Sequence, residues 1–152
     1  MRKIYLPLLT TLLLLGCSGS NSKPVIIPER NNLDYSDFKD IELEWKNAFL
    51  PAKSQYFIYI YSFSCSHCNN IKNEVLKTID EHREMFYLTS YTSDIKTKNN
   101  VSETIGKERV EDVYILGTPT LLEISNHYVA LNIAGEKAIL EYLELLPHKS
   151  CS

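Results

Sequence analysis

Two cysteines separated by two residues form the clearest chemical pattern in this 152-residue chain. They occur as Cys65-Ser66-His67-Cys68, directly after an apolar, aromatic run and directly before a segment with helical spacing of apolar residues. Cysteines three positions apart at the start of a helix both face its first turn, so their sulfur atoms can meet and form a reversible disulfide. The spacing therefore predicts a redox-active dithiol.

The two sulfur atoms are expected to play different roles. Cys65 lies nearest the unpaired N–H groups and the positive end of the helix dipole, which favour thiolate, so it is predicted to be the nucleophile. Cys68 is predicted to resolve the mixed disulfide from a more buried position. Ser66 and His67 are predicted to tune the pair, His67 through positive charge or a hydrogen bond to the thiolate. Such a cycle needs no cofactor and no metal.

The elements that would position this pair follow from periodicity and turn residues. Their order predicts an α/β domain with a central mixed β-sheet flanked by helices on both faces. The first predicted element is a helix that begins after Asp34 or Ser36 and ends before Pro51, with Phe38, Ile41, Trp45 and Phe49 on one face. A strand at 56–63, a helix at 65–82, a strand at 85–92 and a short helix at 101–109 follow. The last elements are strands at 119–125 and 128–134, joined by a two-residue hairpin turn, and a helix after Gly135 that ends before Pro147.

A second motif follows the cysteine pair by about 50 residues, as Ile115-Leu116-Gly117-Thr118-Pro119-Thr120. Together with the strand–Cys-x-x-Cys–helix unit, the hairpin and the closing helix, it resembles the thioredoxin family over nearly all of 33–146. The resemblance implies a thioredoxin-like fold and thiol–disulfide oxidoreductase activity. It further implies a cis bond before Pro119, with Thr118 and Pro119 forming a substrate-binding shelf beside the cysteines.

The direction of electron flow stays open at this point. The Cys-x-His-Cys sequence resembles the oxidising branch of the family, whereas the short segment between Thr92 and Val113 resembles minimal thioredoxin or the lipid-anchored reductases of cytochrome maturation. Thioredoxin also has a buried acid on the strand before its motif, and 56–63 contains no carboxylate, so proton delivery to Cys68 is unassigned. Tyr59, Tyr61 and Tyr114 are predicted to be packing residues, and His82, His127 and His148 surface residues.

The first residues have the form of an export signal. Two basic residues precede an apolar run that is short for a membrane-spanning helix, and the run closes as Leu14-Leu15-Gly16-Cys17, which resembles a bacterial lipobox. We expect a signal peptide at 1–16, lipid attachment at Cys17, a flexible tether at 17–32, a thioredoxin-like domain at 33–147 and a tail at 148–152. The expected location is the extracytoplasmic face of a bacterial envelope membrane.

The net charge of the chain and its expected compartment limit the kinds of partner that we expect. The formal net charge is −3 and becomes more negative once the signal peptide is removed, which argues against nucleic acid. Disulfides persist outside the cytosol, so the expected partners are thiols and disulfides of exported proteins, with the membrane reached through the lipid on Cys17. The domain is expected to be a monomer.

The sequence also allows two other classes of protein, a zinc-binding domain and a binding protein without redox activity. Cys65 and Cys68 could combine with His148 and Cys151 into a Cys₃His zinc site, although about 80 residues separate the two pairs. Without zinc, Cys151 is a tail thiol that is inert or pairs with another chain. The domain could also be a thioredoxin-fold accessory lipoprotein that binds partners without needing redox activity, since fold alone does not establish function.

Overall fold

The computed structural model describes residues 32–147 of the chain. The strands are β1 (Gln55–Tyr61), β2 (Phe86–Ser90), β3 (Lys96–Thr97), β4 (Tyr114–Ile115), β5 (Thr120–Ser125) and β6 (Tyr128–Ala134), and the α-helices are α1 (Ser66–Glu81) and α2 (Glu136–Leu143). Short 3-10 helices occupy Tyr35–Ile41, Trp45–Asn47, Arg83–Met85, Ser102–Thr104 and Val110–Asp112. None of the helices in this part of the chain is long and apolar enough to cross a membrane.

The main sheet has the strand order β2-β1-β5-β6. Strand β1 is parallel to β2 and antiparallel to β5, and β5 is antiparallel to β6. Six of the seven β1 residues are buried, because β1 is central in the sheet and covered on both faces. The predicted fold class, a thioredoxin-like α/β domain with a central mixed sheet flanked by helices, is confirmed by this topology.

The two faces of the sheet are covered differently. Both α-helices lie on one face, where Val75 and Ile79 of α1 and Ile139 of α2 share a buried cluster with Phe57 and Tyr59 of β1. The opposite face is covered by 3-10 turns and by the small parallel sheet of β3 and β4. We expected helices on both faces of the sheet. On this second face, the helices are short 3-10 turns and not α-helices.

The first predicted helix is wrong. Two 3-10 helices, Tyr35–Ile41 and Trp45–Asn47, occupy this segment, and an extended stretch between them brings Leu43 alongside β2, where its N–H donates to the Leu88 carbonyl at 2.7 Å. Phe38 consequently packs into the cluster on the α-helical face, whereas Trp45 packs into the cluster on the other face. The apolar residues of this segment have the spacing of a helix, but Phe38 and Trp45 pack against opposite faces of the sheet.

The structure tests two further predictions, the exposure of His82 and the hairpin turn at Asn126 and His127. His82 follows α1 as its C-terminal cap and is only 4% exposed, so the prediction of a surface histidine is wrong there. The two-residue hairpin turn is confirmed: Asn126 and His127 join β5 to β6, with φ of 48° and 68°. Both residues are exposed. Positive φ at both central positions matches the right-handed twist of the strands.

Candidate active site at the Cys65–Cys68 pair

Cys65 lies where β1 has ended and α1 begins. It is the N-terminal cap of α1, with extended backbone angles, and its Sγ accepts the backbone N–H of Cys68 at 3.1 Å. Caps of this kind are usually oxygen atoms of Ser, Thr, Asp or Asn, which satisfy N–H groups that the helix leaves unpaired. A sulfur atom takes that position here, so the helix terminus bonds directly to the atom predicted to react.

This environment favours the ionised form of Cys65. Partial burial opposes ionisation, but hydrogen bonding with the side chains of Cys68 and Thr118 outweighs it and lowers the pKa of the Cys65 thiol. The backbone of His67 adds a further hydrogen bond in the same direction. A thiolate is the nucleophile in disulfide exchange, so the residue with the lowered pKa is the one suited to attack.

Cys68 lies in the opposite environment. Its side chain is fully buried in the cluster beneath α1, and both cysteines are free thiols. Burial, followed by hydrogen bonding with Cys65, raises the pKa of the Cys68 thiol to about 11. Two neighbouring thiols with pKa values displaced in opposite directions make an asymmetric pair, in which one sulfur is poised as thiolate and the other is held protonated.

The second sequence motif meets the cysteine pair in space. The Thr118 carbonyl accepts a hydrogen bond from the Cys65 thiol at 3.1 Å, and the Thr118–Pro119 peptide bond is cis, as the resemblance implied. Pro119 is buried, and its carbonyl accepts the N–H of Gly135 at 3.0 Å, which connects this loop to the start of α2. The predicted site residues Cys65, Cys68, Thr118 and Pro119 therefore lie together.

His67 points toward α2. Its Nδ1 lies 2.6 Å from Oε1 of Glu136, and the same oxygen accepts a hydrogen bond from the Asn70 amide at 2.9 Å. These two hydrogen bonds, led by that from His67, lower the pKa of the Glu136 carboxyl. Within the described chain His67 thus reaches Cys65 through its backbone, while its ring pairs with Glu136. Sequence reasoning missed Glu136 and Asn70 because no local pattern links them to the motif.

The surface around the pair is apolar. Phe63, two residues before Cys65, is 68% exposed, and Leu116, two residues before Thr118, is 50% exposed. The segments that carry them meet at the bond between Cys65 and Thr118. Ser66, the first residue of α1, is also exposed. An accessible nucleophile bordered by exposed apolar side chains is suited to contact with a protein partner.

Several predicted residues fall outside the described part of the chain. Cys17, proposed for lipid attachment, and His148 and Cys151, proposed as zinc ligands with the cysteine pair, all lie beyond residues 32–147. Among the residues that are described, no group of three or more His, Cys, Asp or Glu side chains could hold a metal ion. The complete Cys₃His set stays a prediction.

Comparison with known proteins gives similarity in three dimensions only. No protein-family model matches the chain, and no curated protein matches its sequence. Similar solved structures include thioredoxin f2 of Chlamydomonas reinhardtii, with 12% identity over 70% of this chain and 92% of that chain and a TM-score of 0.46.

Two further thioredoxins are similar to the same degree. Thioredoxin f from spinach chloroplast has 15% identity over 74% of this chain and 93% of that chain, with a TM-score of 0.47. Mitochondrial thioredoxin 3 of Saccharomyces cerevisiae has 14% identity over 72% of this chain and 98% of that chain, with a TM-score of 0.46. At this level of similarity, the chemistry of the present chain has to be inferred from its own residues.

Proposed function

We propose that this protein is a thiol–disulfide oxidoreductase that exchanges disulfides with exported proteins. The observation that carries the proposal is the asymmetry of the pair: the Cys65 sulfur caps α1 in a position that favours thiolate, and the protonated Cys68 thiol lies buried beside it. A pair used only for packing has no need of a nucleophile at a helix terminus. The exposed Phe63 and Leu116 beside it support a protein substrate.

The proposed reaction balances as two sulfur displacements. The Cys65 thiolate attacks a substrate disulfide, forming a mixed disulfide, and the bonding electron pair leaves with the displaced substrate sulfur, which takes up a proton. The Cys68 sulfur then attacks the Cys65 sulfur, releasing the second substrate thiolate, which takes the proton that Cys68 loses. Two electrons pass from the pair to the substrate, and the reverse sequence oxidises a substrate dithiol.

Of the two directions, we propose that the reverse sequence is favoured, in which the Cys65–Cys68 disulfide accepts two electrons and oxidises a substrate dithiol. Interactions that stabilise the Cys65 thiolate stabilise the reduced protein, and a more stable reduced state makes the disulfide a stronger oxidant. The hydrogen bonds to the Cys65 sulfur act in this direction. A reduction potential of the full chain close to ~−270 mV, which is typical of thioredoxin, would overturn this part.

The decisive experiment traps the mixed disulfide. In a Cys151→Ser background, which removes the tail thiol, Cys68→Ala should accumulate a covalent adduct with a disulfide-containing protein that is released by reductant. Cys65→Ala in the same background is the matched control and should form no adduct. Equal trapping by both variants, or by neither, would contradict the assignment of Cys65 as nucleophile.

Location and attachment are a separate part of the proposal. The form of residues 1–17 supports export and lipid attachment at Cys17, which would hold the domain at the extracytoplasmic face of a bacterial membrane by way of the 17–32 tether. Expression with labelled fatty acid should label the chain, and Cys17→Ser should abolish the label and release the protein from the membrane fraction. An unlabelled chain that sediments with membranes regardless of Cys17 would refute the attachment.

A further inference from the structure

Three tyrosine rings are packed in parallel on the side of the sheet that holds Cys68. Tyr35 stacks on Tyr61 with ring centroids 3.7 Å apart, and Tyr59 lies parallel to Tyr61 at 6.4 Å. Tyr59 and Tyr61 alternate along β1 and so share one face of the sheet, while Tyr35 comes from the first 3-10 helix. All three rings are buried in the cluster that contains Cys68.

Two of these rings, in the described part of the chain, carry buried hydroxyl groups that form no hydrogen bond of normal geometry. Within the described part of the chain, neither the Tyr35 nor the Tyr59 hydroxyl has a hydrogen-bond partner, although both oxygens are buried. A third buried tyrosine shows the usual arrangement, since the hydroxyl of Tyr56 donates to the Ala48 carbonyl at 2.7 Å on the opposite face of the sheet. Buried hydroxyls without partners are unfavourable, so a pair of them requires a compensating role.

The two hydroxyls and the cysteine pair belong to the same region of the buried core. Cys68 belongs to the same buried cluster, and Cys65 packs against it. Both phenols interact electrostatically with both cysteines. The two hydroxyls also interact with each other, although not in a hydrogen bond of normal geometry. Burial raises the pKa of each phenol far above its ordinary value, so each keeps its proton and is a hydrogen-bond donor rather than a base. No carboxylate occurs in β1 that could take this place.

We propose that the hydroxyls of Tyr35 and Tyr59 donate hydrogen bonds to the Cys68 sulfur when it is negatively charged, and so assist the step in which Cys68 resolves the mixed disulfide. The inference rests on the proposed redox function. Buried donors stabilise a buried anion far more than they stabilise the neutral thiol, because the interaction is charge-assisted. The two groups are then satisfied in the reacting state and unsatisfied in the dithiol state.

The step balances without a proton from either tyrosine. Cys68 loses its proton, its sulfur forms the bond to the Cys65 sulfur, and the bond between Cys65 and the substrate breaks with its electron pair on the substrate sulfur, which receives the proton. In the reverse direction, the thiolate of Cys68 is the leaving group, and the same two donors stabilise it. Tyr35 and Tyr59 keep their O–H bonds throughout.

The test measures the rate of the resolving step in the full chain. A mixed disulfide of Cys65 with a small disulfide reagent is formed in a Cys151→Ser background, and release of the reagent thiol is followed across pH. Tyr59→Phe and Tyr35→Phe should each slow release about tenfold, as expected for loss of one hydrogen bond to a charged group, and should move its pH profile upward. Tyr56→Phe is the matched control, with the same chemical change on the same strand, and should release at the parent rate.

The outcomes separate this inference from the proposed function. Parent-like release in both Tyr35→Phe and Tyr59→Phe, or equal slowing by Tyr56→Phe, overturns the role of the hydroxyls while leaving the redox function intact. A parent protein that forms no mixed disulfide overturns the redox function itself. Should a phenylalanine variant fail to fold, 3-fluorotyrosine at position 59 keeps the ring and strengthens the donor. Release should then be faster, and unchanged or slower release contradicts the inference.

Discussion

The Nδ1 atom of His67 lies 2.6 Å from Oε1 of Glu136, which ties the first turn of α1 to the first turn of α2. The motif residue expected to act on the Cys65 sulfur thus has its ring engaged by a carboxylate from 69 positions away. Because Asn70 bonds to the same oxygen, the negative charge of Glu136 is held beside the start of α1. That charge opposes the helix dipole, which otherwise favours the Cys65 thiolate.

Replacing Glu136 should therefore make Cys65 more reactive. Glu136→Gln removes the negative charge while retaining hydrogen-bonding atoms, and we expect alkylation of Cys65 at pH 7 to speed up about two- to fivefold, the range expected for a single charge near a helix terminus. Glu141→Gln is the control on the same helix, because Glu141 is paired with Lys137 instead. Unchanged or slower alkylation of Glu136→Gln, measured by mass spectrometry, would contradict the prediction.

The two thiols should react with alkylating reagent in sharply different pH ranges. Hydrogen bonds lower the pKa of Cys65, while burial raises that of Cys68 to about 11 from an ordinary 9.0. At pH 7 the reduced protein should be modified at Cys65 at least about tenfold faster than at Cys68, since the thiolate is the reacting form. In denaturant the difference should vanish. Comparable rates in the folded protein would argue against the asymmetry.

The stability of the dithiol form should fall at alkaline pH. The pKa of Cys68 is about 11 in the folded protein and 9.0 in the unfolded chain, so between these values the unfolded chain has lost the proton and the folded protein retains it. The free energy of unfolding then decreases with rising pH, at a slope approaching ~1.4 kcal/mol per pH unit. Urea unfolding at pH 8 to 11 measures this decrease.

Cys68→Ala serves as the comparison for this alkaline decrease. The variant keeps the buried tyrosines and lacks the Cys68 thiol, so the difference between the two proteins reports the ionisation of Cys68 together with its effect on neighbouring groups. Its free energy of unfolding should fall less steeply than that of the parent between pH 9 and pH 11. Identical slopes would mean that Cys68 does not resist ionisation in the folded state.

The hairpin turn offers a test of backbone conformation. His127 has φ of 68°, a left-handed conformation that glycine adopts more easily than any other residue. His127→Gly should raise the free energy of unfolding by about 0.5–1 kcal/mol, because the strain of the side chain exceeds the extra entropy of the unfolded glycine. His127→Ala keeps the strain and should give no gain. A less stable His127→Gly variant would show that the imidazole contributes contacts of its own.

Much of this architecture was readable from local patterns. The apolar run of β1, the helical period after Cys65 and the Asn126-His127 pair each specify an element whose burial or turn geometry follows from its own residues. The segment from Tyr35 to Asn47 was not readable. Its apolar spacing fits a helix, but contact with β2 at Leu88 keeps the centre of the segment extended. Tertiary contact overrode the local period there.

The site was predictable to the same extent. Cys65, Cys68, Thr118 and Pro119 lie together as expected because two motifs, each recognisable in sequence, converge at one loop edge, while their roles stay predictions. The bond between His67 and Glu136 and the unpaired hydroxyls of Tyr35 and Tyr59 were not found, because they depend on which side chains the packed layers bring together. The sequence of a buried strand does not indicate which groups will surround the hydroxyl of a tyrosine in it.

The cap of α1 has a consequence for the motion of the domain. In the proposed reaction, the atom that forms and breaks bonds with substrates is the same atom that accepts the N–H of Cys68. Each time Cys65 enters a disulfide, the opening turn of the helix exchanges an anionic acceptor for a weaker, neutral one. Under the proposed function, local order at this end of the helix should then differ between the dithiol and disulfide forms, and a partner could distinguish the two forms by that difference.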